Sequence, residues 1–390
     1  MNYPVDLSIE KVVHGGRGLA RTGEGVVLVD GVLPGERVRA VETGKINGMR
    51  IFQPLERLKP SAGRRDPPCR YFGNCGGCDW LFIEPQLQAQ LKRSIFIEAL
   101  ERIGKLTSLA IPEIVAGPEY GYRRRVQVKI STEKKTGFFK RGSNDVVQIE
   151  NCPLCTERIN GLLARCAREP ALLPDDCANL KVIDGDRILA SQPVLDGCTA
   201  AVTEIYCGER RFTVTGDDFF QSNAPLLVRM AEWIAACCSG ETLVDLYGGT
   251  GFFSVMLAGK FSGGMLIESD RKMVRRAREN FKDNGIKHFT AVAVPAEAVE
   301  GHIPSKPSVL LVDPPRPGLT RNAREAVGRI AAETLVYVSC NCATQARDVG
   351  YLVKKCGYSI VASALVDLYP NTHHTETVVV MKRRGDGVTG

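Results

Sequence analysis

The sequence lacks any apolar run of the about 18 residues that a membrane-spanning helix needs. Its first residues, from Met1 to Asp6, lack the apolar core of a signal peptide. It has no internal repeat and no low-complexity segment, and no residue class reaches the excess that marks disordered or collagenous chains. These absences predict a cytoplasmic globular protein, and 390 residues are enough for two or three domains.

Positive charge is only slightly in excess, since 51 Lys and Arg minus 44 Asp and Glu give a net charge of +7. That excess is compatible with a polyanionic partner but does not demonstrate one. Fourteen cysteines exceed ordinary usage, yet they are far sparser than in disulfide-stapled secreted domains. Thiols stay reduced in the cytoplasm, so closely spaced cysteines are expected to bind metal or to do chemistry.

The first sixty residues alternate apolar and polar positions between glycine-rich turns, which predicts a small β-barrel. Such a barrel can be purely structural, but basic residues favour contact with nucleic acid. These are Lys11, Arg17, Arg21, Arg37 and Arg39.

The middle of the chain contains one predicted helix, from Pro85 to Gly104, followed by a mostly β region from about 120 to 214 with a helical piece near 156–168. Residues 117–141 are strongly basic and alternate with strand-forming residues, so part of this charge should face RNA or DNA. The basic residues are Arg123, Arg124, Arg125, Lys129, Lys134, Lys135, Lys140 and Arg141.

The pattern changes after about residue 221, where strands and helices alternate as in a doubly wound α/β sheet. The predicted strands are Thr242–Leu246, Gly264–Ile267, Val309–Val312 and Thr334–Val338. The predicted helices are Ala224–Cys237, Arg271–Asn284, Arg321–Ala332 and Ala343–Cys356.

A glycine loop, Tyr247-Gly248-Gly249-Thr250-Gly251, follows the first of these strands, where such sheets bind nucleotides. Glu268 ends the next strand, 23 residues after Asp245, as expected for a ribose hydrogen-bond partner. A dinucleotide site would fit this pattern. The single Asp before the loop and the glycine spacing look more like an S-adenosylmethionine methyltransferase.

Three further residues are predicted at the same edge of the sheet. Asp313 precedes two prolines that stop a strand, and Cys340 ends the next strand before a helix whose N-terminus should lower the thiol pKa. Cys340 is therefore placed as a nucleophile rather than as a buried structural thiol, although Cys342 is a second thiol close by. Glu376 precedes the last strand and is a candidate general base.

Four cysteines, Cys69, Cys75, Cys78 and Cys152, resemble the ferredoxin pattern of three clustered thiolates and a distant one before proline. A zinc site built from Cys75, Cys78, Cys152 and Cys155 is the alternative. Its gap of 73 residues between the cysteine pairs is long for a zinc ribbon, and it leaves Cys69 unused. A 4Fe-4S cluster is therefore preferred.

Together, these motifs closely resemble the RNA uridine-5-methyltransferases of the RumA/TrmA type, in particular the 23S ribosomal-RNA branch that has an iron–sulfur cluster and an OB-like TRAM barrel. The resemblance covers essentially the whole chain. It implies a class I S-adenosylmethionine-dependent methyltransferase with a TRAM barrel at 1–60, a central β-rich domain with the cluster at 61–218, and a catalytic domain at 219–390. The helix at 85–104 is expected to pack on the catalytic domain.

The resemblance also implies a mechanism, in which Cys340 adds to C6 of uracil and Glu376 later removes the C5 proton. The residues implied around S-adenosylmethionine are Gln221, Tyr247, Gly249, Gly251, Glu268 and Asp313. Phe219 and Arg125 are implied as RNA contacts. The expected partner is large-subunit ribosomal RNA, with no membrane and with the enzyme as a monomer.

Two alternatives stay open at this point. A transfer-RNA T-loop methyltransferase would use the same chemistry. An RNA-binding assembly factor with a degenerate active site belongs to a different class, but the complete set of Cys340, Glu376, Asp313 and Gln221 argues against it.

Overall fold

A computed structural model describes residues 3–107, 109–199, 202–216, 218, 220–303 and 305–384. The N-terminal part is a closed barrel with the strand order β1-β2-β3-β5-β4. Its strands are β1 (Val5–Val12), β2 (Gly18–Thr22), β3 (Gly25–Val29), β4 (Arg37–Ile46) and β5 (Met49–Lys59). The predicted N-terminal barrel is therefore confirmed.

The period-2 pattern explains the barrel interior, because alternate residues of a strand face the same side. Leu7 and Ile9 of β1 and Val38 and Ala40 of β4 are all buried. Gly18 begins β2 at a point where the barrel leaves no room for a side chain, since a Cβ there would lie 2.3 Å from Cγ2 of Val32.

One long helix, α1 (Pro85–Arg102), follows the cysteine-rich segment. Proline stands in its first turn, as expected where a backbone N–H needs no partner. Its apolar face, with Phe96 and Leu100, is buried in the same core cluster as Val349 and Leu352 of the C-terminal region. This helix therefore packs against the C-terminal region, mainly on the helix at Cys342–Lys355.

The central region forms a five-stranded antiparallel sheet, ordered β11-β10-β7-β8-β9, and a separate hairpin of β12 and β13. The elements are β6 (Glu113–Val115), β7 (Arg125–Ile130), β8 (Thr136–Phe139), β9 (Val146–Gln148), α2 (Glu157–Arg168), β10 (Asn179–Asp184), β11 (Leu189–Gln192), β12 (Thr203–Cys207) and β13 (Arg210–Val214). The predicted helical piece corresponds to α2.

The C-terminal region is an eight-stranded sheet ordered β16-β15-β14-β17-β18-β20-β19-β6. The elements are α3 (Ala224–Cys237), β14 (Thr242–Leu246), α4 (Phe252–Leu257), β15 (Gly263–Glu268), α5 (Arg271–Asp283), β16 (Phe289–Ala293), β17 (Val309–Val312), α6 (Arg321–Ile330), β18 (Thr334–Ser339), α7 (Cys342–Lys355), β19 (Tyr358–Val366) and β20 (Glu376–Arg383). Three short 3-10 segments lie at Pro170–Leu172, Ala258–Lys260 and Ala296–His302.

Strands β14 to β18 pair in parallel, whereas β20 runs antiparallel to β18 and β19. All residues of β17 and β18 are buried, as expected for strands covered on both faces. The predicted doubly wound α/β sheet is confirmed.

Three strands of this sheet were not predicted, namely β16, β19 and β6. Residues of β6 pair in parallel with Ala364, Leu365 and Val366 of β19, so a segment ahead of the central sheet extends the C-terminal sheet. Three residues are too few to show a strand period in the sequence. Within the described residues, no helix is long and apolar enough to cross a membrane.

Candidate active site

Three chemically competent side chains meet at the carboxyl edge of the parallel strands. Asp313 follows β17 and Cys340 follows β18. Glu376 begins β20, and because β20 is antiparallel to β18, its first residue lies where β18 ends. Ser339 pairs with Thr377, which brings Cys340 and Glu376 together across the strand pair. The sheet topology thus assembles three residues that are far apart in the chain.

The carboxyl groups occupy a site of low polarity. Glu376 is 2% exposed, and its Oε2 has no hydrogen-bond partner within the described part of the chain. Burial raises the pKa of Glu376 well above its ordinary value, and the charge of Asp313 raises it further. Burial and the charge of Asp245 also raise the pKa of Asp313. The pair therefore keeps a proton to a higher pH than separate carboxyl groups would.

Cys340 does not have the low pKa that the following helix was expected to produce. Burial raises its pKa to about 11, and the charges of Glu376 and Asp313 act in the same direction. Arg316 partly opposes them through its charge and a hydrogen bond to the thiol. The expectation of a low pKa was wrong because burial and two carboxyl groups outweigh the cationic influences. The thiol is protonated in the free protein near neutral pH.

Asn341 orders the loop that carries Cys340. Its Oδ1 caps α7 by accepting hydrogen bonds from the N–H groups of Ala343 (3.1 Å) and Thr344 (3.4 Å). Its Nδ2 donates to the carbonyl oxygen of Arg316 at 3.1 Å, and Thr344 Oγ1 donates to the same oxygen at 3.0 Å. These bonds connect the Cys340 loop to the loop at residues 313–316, so the distance between the two loops is restrained.

The predicted cofactor loop has the backbone geometry that its glycines permit. Gly249 has φ +54°, and a Cβ there would meet nothing within 4 Å, so the loop borders open space. Gly251 has φ +88° and lies against α5, where a Cβ would be 3.3 Å from Ala277. Tyr247 also has a positive φ, of 64°. The backbone can therefore approach a ligand at Gly249.

Glu268 and Gln221 lie beside this loop and the active-site loops. Glu268 Oε2 accepts a hydrogen bond from the N–H of Gly249 at 3.2 Å. Gln221 Oε1 accepts one from the hydroxyl of Tyr369, in the loop that leads to Glu376. Five of the six predicted cofactor-binding residues thus lie at the carboxyl ends of β14, β15 and β17 or directly after them, and Gln221 contacts the loop that leads to Glu376.

Four cysteines line one small cavity. Cys69, Cys75, Cys78 and Cys152 share it with mainly apolar side chains, among them Tyr71, Phe72, Leu81, Phe138 and Ile149. Cys155 does not line the cavity, although its thiol forms a hydrogen bond with Cys152. Over the described ranges, no three His, Cys, Asp or Glu side chains are arranged to bind a single metal ion. The cavity therefore groups the same four thiols as the predicted cluster.

The sequence was compared with known protein families and the fold with solved structures. The profile of a family described as tRNA (Uracil-5-)-methyltransferase matches residues 202–308 and 305–384. The 23S rRNA (uracil(1939)-C(5))-methyltransferase RlmD of Alkalilimnicola ehrlichii is 30% identical over 434 residues, covering 97% of this chain and 97% of the relative. The RlmD of Pseudomonas putida is 29% identical and covers 96% and 93%.

This chain belongs to the RNA (uracil-5-)-methyltransferase family. It is an enzyme that uses S-adenosylmethionine to methylate C5 of uracil in RNA. The crystal structure of Pyrococcus abyssi tRNA (uracil-54, C5)-methyltransferase with S-adenosyl-L-homocysteine has a TM-score of 0.77 and 20% identity, covering 98% of this chain and 100% of that chain. That similarity supports the fold.

The methyltransferase has a groove of about 560 Å³ where its three regions meet. The barrel contributes Arg17, the central sheet contributes Phe139 and Arg141, and the loop before Glu376 contributes His373. Phe139 is 37% exposed, and Lys129 Nζ lies 4.8 Å from its ring centroid. An exposed aromatic ring beside basic side chains is suited to stacking bases of single-stranded RNA.

The barrel of the enzyme is less cationic than its basic residues suggested. All five singled-out residues form ion pairs: Lys11 with Glu98, Arg17 with Asp30, Arg21 with Glu10, Arg37 with Asp6, and Arg39 with Asp6 and Glu56. Each of these charges therefore has an acidic partner in the fold, which the sequence counts did not show. Nucleic-acid binding by these residues stays a prediction.

The structure describes one of the two predicted RNA-contact residues. Arg125 begins β7, and its carbonyl oxygen accepts a hydrogen bond from Ser222 Oγ at 3.3 Å, close to Gln221 in the chain. Phe219 lies outside the described residues. Arg316 was not among the predicted residues, although it directly follows the two prolines after Asp313. Its position next to a strand-ending carboxylate was the available signal.

Proposed function

We propose that the enzyme methylates C5 of a specific uridine in 23S rRNA. The proposed chemistry rests on one observation, that Cys340, Glu376 and Asp313 lie together at one edge of the sheet. The ribosomal target rests on two relatives, similar over almost their whole length, whose names specify 23S rRNA. A transfer-RNA T-loop uridine is the alternative target.

Cys340 is the proposed nucleophile. Uracil C5 is too weak a nucleophile to take a methyl group unaided, so the Cys340 thiolate forms a bond to C6 and the electrons of the C5–C6 double bond become available at C5. S-adenosylmethionine supplies the methyl group. Arg316 contacts the thiol and favours its ionised form. Because the thiol is protonated in the free protein, its activation is expected to accompany substrate binding.

Glu376 is the proposed general base. It removes the proton from C5 after methylation, the double bond re-forms, and the bond between Cys340 and C6 breaks to release the thiolate. Burial raises the pKa of Glu376, which makes its ionised form a stronger base. Its Oε2, which has no hydrogen-bond partner among the described residues, can receive that proton.

The proposed S-adenosylmethionine site comprises Gln221, Tyr247, Gly249, Gly251, Glu268 and Asp313. The open space beyond Gly249 accommodates a ligand that a side chain there would displace. Glu268, at the end of β15, is placed to accept hydrogen bonds from the ribose hydroxyls, as acidic residues at this position do in related sheets.

We also propose a 4Fe-4S cluster held by Cys69, Cys75, Cys78 and Cys152. The four thiols fit such a cluster because they surround one mostly apolar cavity, and each would ligate one iron. The zinc alternative needs Cys155, which does not line the cavity. The cluster braces the segment that carries it and takes no part in methyl transfer.

The proposed division of labour is an RNA-binding barrel at 1–60, a central domain at 61–218 and a catalytic domain at 219–390. The groove between them would take the RNA strand around the target, with Phe139 stacking a base. Arg125 and Phe219 are the further proposed RNA contacts. An unstacked base can reach Cys340, whereas a base within a helix cannot.

Purified enzyme with methyl-labelled S-adenosylmethionine and total RNA tests this proposal. The expected result is label in large-subunit rRNA as 5-methyluridine. Label confined to tRNA would replace the ribosomal target with the T-loop alternative. A Cys340→Ala variant is the control, because any label that it transfers would contradict the assigned nucleophile.

A further inference from the structure

The loop that leads to Glu376 is held mainly by a distant part of the chain. We define the base loop as residues 367–375, between β19 and β20, directly before the proposed general base. The loop lies outside the strands, yet Asn371 and Thr372 are 0% and 3% exposed. Buried backbone groups need partners, and the cysteine-bearing segment from residue 65 to residue 122 supplies many of them.

Asn371 is the centre of these contacts. Gln88 of α1 donates from Nε2 to Asn371 Oδ1 at 3.0 Å and accepts from the Asn371 N–H at 2.7 Å. Arg65 Nη2 donates to the same Oδ1 at 2.8 Å. Asn371 Nδ2 donates to the carbonyl of Glu119 at 2.9 Å, and Trp80 N–H donates to the Asn371 carbonyl at 3.1 Å. These bonds hold Asn371 at φ +67°.

Contacts on both sides of Asn371 extend this clamp. Lys92, fully buried on α1, forms an ion pair with Asp367 at 2.6 Å and donates to the carbonyl of Tyr369 at 3.0 Å. Asp79, the residue after Cys78, accepts from the His373 N–H at 2.9 Å and forms a second hydrogen bond with His373 Nδ1. The clamp therefore reaches from the proposed cluster ligand to three residues before Glu376.

We propose that Gln88, through Asn371, is a positioning residue for Glu376, so that the cysteine-bearing segment sets the rate of C5 proton removal. This inference rests on the proposed role of Glu376. Cys340 is carried by a different loop, which Asn341 and Thr344 anchor to Arg316. Loosening the base loop should therefore spare attack by Cys340 and slow the later step.

The experiment uses Gln88→Met, which keeps the side-chain length and removes both hydrogen bonds to Asn371. Gln90→Met is the matched control, because Gln90 is exposed on the same helix two residues away. Full-length variants are mixed with substrate RNA and labelled S-adenosylmethionine in single-turnover reactions. The measured quantities are the rate of covalent protein–RNA adduct formation, the rate of adduct breakdown and the iron content.

The expected result for Gln88→Met is adduct formation close to that of Gln90→Met, adduct breakdown slowed by about tenfold to a hundredfold, and unchanged iron. Unchanged breakdown in a folded Gln88→Met protein would overturn the proposal. A joint loss of iron, adduct formation and breakdown would also overturn it, because the contact would then serve folding alone. Asp79→Asn, which weakens the second clamp point, should give the same selective delay in breakdown.

Failure of the proposed function is distinguishable from failure of this inference. Glu376→Gln, included in parallel, should stop adduct breakdown. If Glu376→Gln releases RNA at the wild-type rate, Glu376 is not the base and the proposed function is at fault. If Glu376→Gln traps the adduct while Gln88→Met does not prolong it, only the positioning role is excluded.

Discussion

Asp245 offers a quantitative test of how burial affects this active site. It lies in β14 directly before the cofactor loop and is 0% exposed. Its Oδ2 accepts hydrogen bonds from Ser254 N (3.1 Å) and Oγ (2.7 Å), whereas Oδ1 has no partner within the described residues. Burial raises its pKa from 3.8 to about 6, and the charge of Glu268 contributes in the same direction. The perturbation is Asp245→Asn, which keeps the shape and removes the charge.

The expected effect depends on pH in a defined way. Because the folded-state pKa lies above the unfolded value, folding favours the protonated carboxyl, and the stability of the wild-type protein falls as pH rises from about 4 to about 6. Raising a pKa from 3.8 to about 6 corresponds to about 3 kcal/mol of cost above pH 6. About half of that cost is already present at pH 5. The variant should therefore gain about 1.4 kcal/mol over wild type between pH 5 and pH 8.

Thermal unfolding of wild type and Asp245→Asn, both prepared anaerobically, measures this difference. For cooperative unfolding of the 390-residue chain, the gain corresponds to a melting-temperature difference about 2 °C more favourable to the variant at pH 8 than at pH 5. Any cost of placing an amide at Oδ1 is the same at both pH values and cancels. Equal differences at pH 5 and pH 8 would refute the argument that a buried charge at Asp245 destabilises the fold.

Four further outcomes are expected. Cys340→Ala should abolish turnover and leave no covalent RNA adduct on a denaturing gel. In the free wild-type enzyme, the rate of Cys340 alkylation, measured by mass spectrometry, should increase as the pH is raised towards the thiol pKa of about 11. Glu376→Gln should accumulate the adduct; its absence would count against the assigned base. Phe139→Ala should weaken RNA binding in a filter assay, whereas Tyr206→Ala, at a comparably exposed aromatic residue away from the groove, should not. Protein purified anaerobically should absorb at about 400 nm and contain iron, and the Cys78→Ser variant should lose the absorbance and the iron. One zinc per chain would reverse the cluster assignment.

Local patterns in the sequence were sufficient for much of the fold. Hydrophobic periodicity located α3, β14 and β17 with the bounds that the structure shows, because these segments are buried in regular ways that depend on neighbouring residues. The motifs at strand ends also placed Asp313 and Cys340 at one edge, since parallel strands in a doubly wound sheet share their carboxyl ends. Strand β6 was not predicted because three residues are too few to show a hydrophobic period.

Charge effects depended on tertiary structure. The helix after Cys340 suggested a low thiol pKa, but Glu376 and Asp313 arrive from other strands and, with burial, raise it. Burial and the charges of neighbouring groups act through space, so residue order does not reveal them. The same reason explains why the basic residues of the barrel proved to be ion-paired.

The sequence by itself therefore determined the class of fold, the order of the regions and the choice of residues proposed to carry the chemistry, because these depend on local periodicity and on motifs at strand ends. Only the tertiary structure decided how those residues are tuned and held. Gln88 and Asn371 are 283 positions apart, and Asp79 and His373 are 294 apart. Such contacts form only when the chain has folded, since no local pattern specifies which distant backbone groups will need a partner.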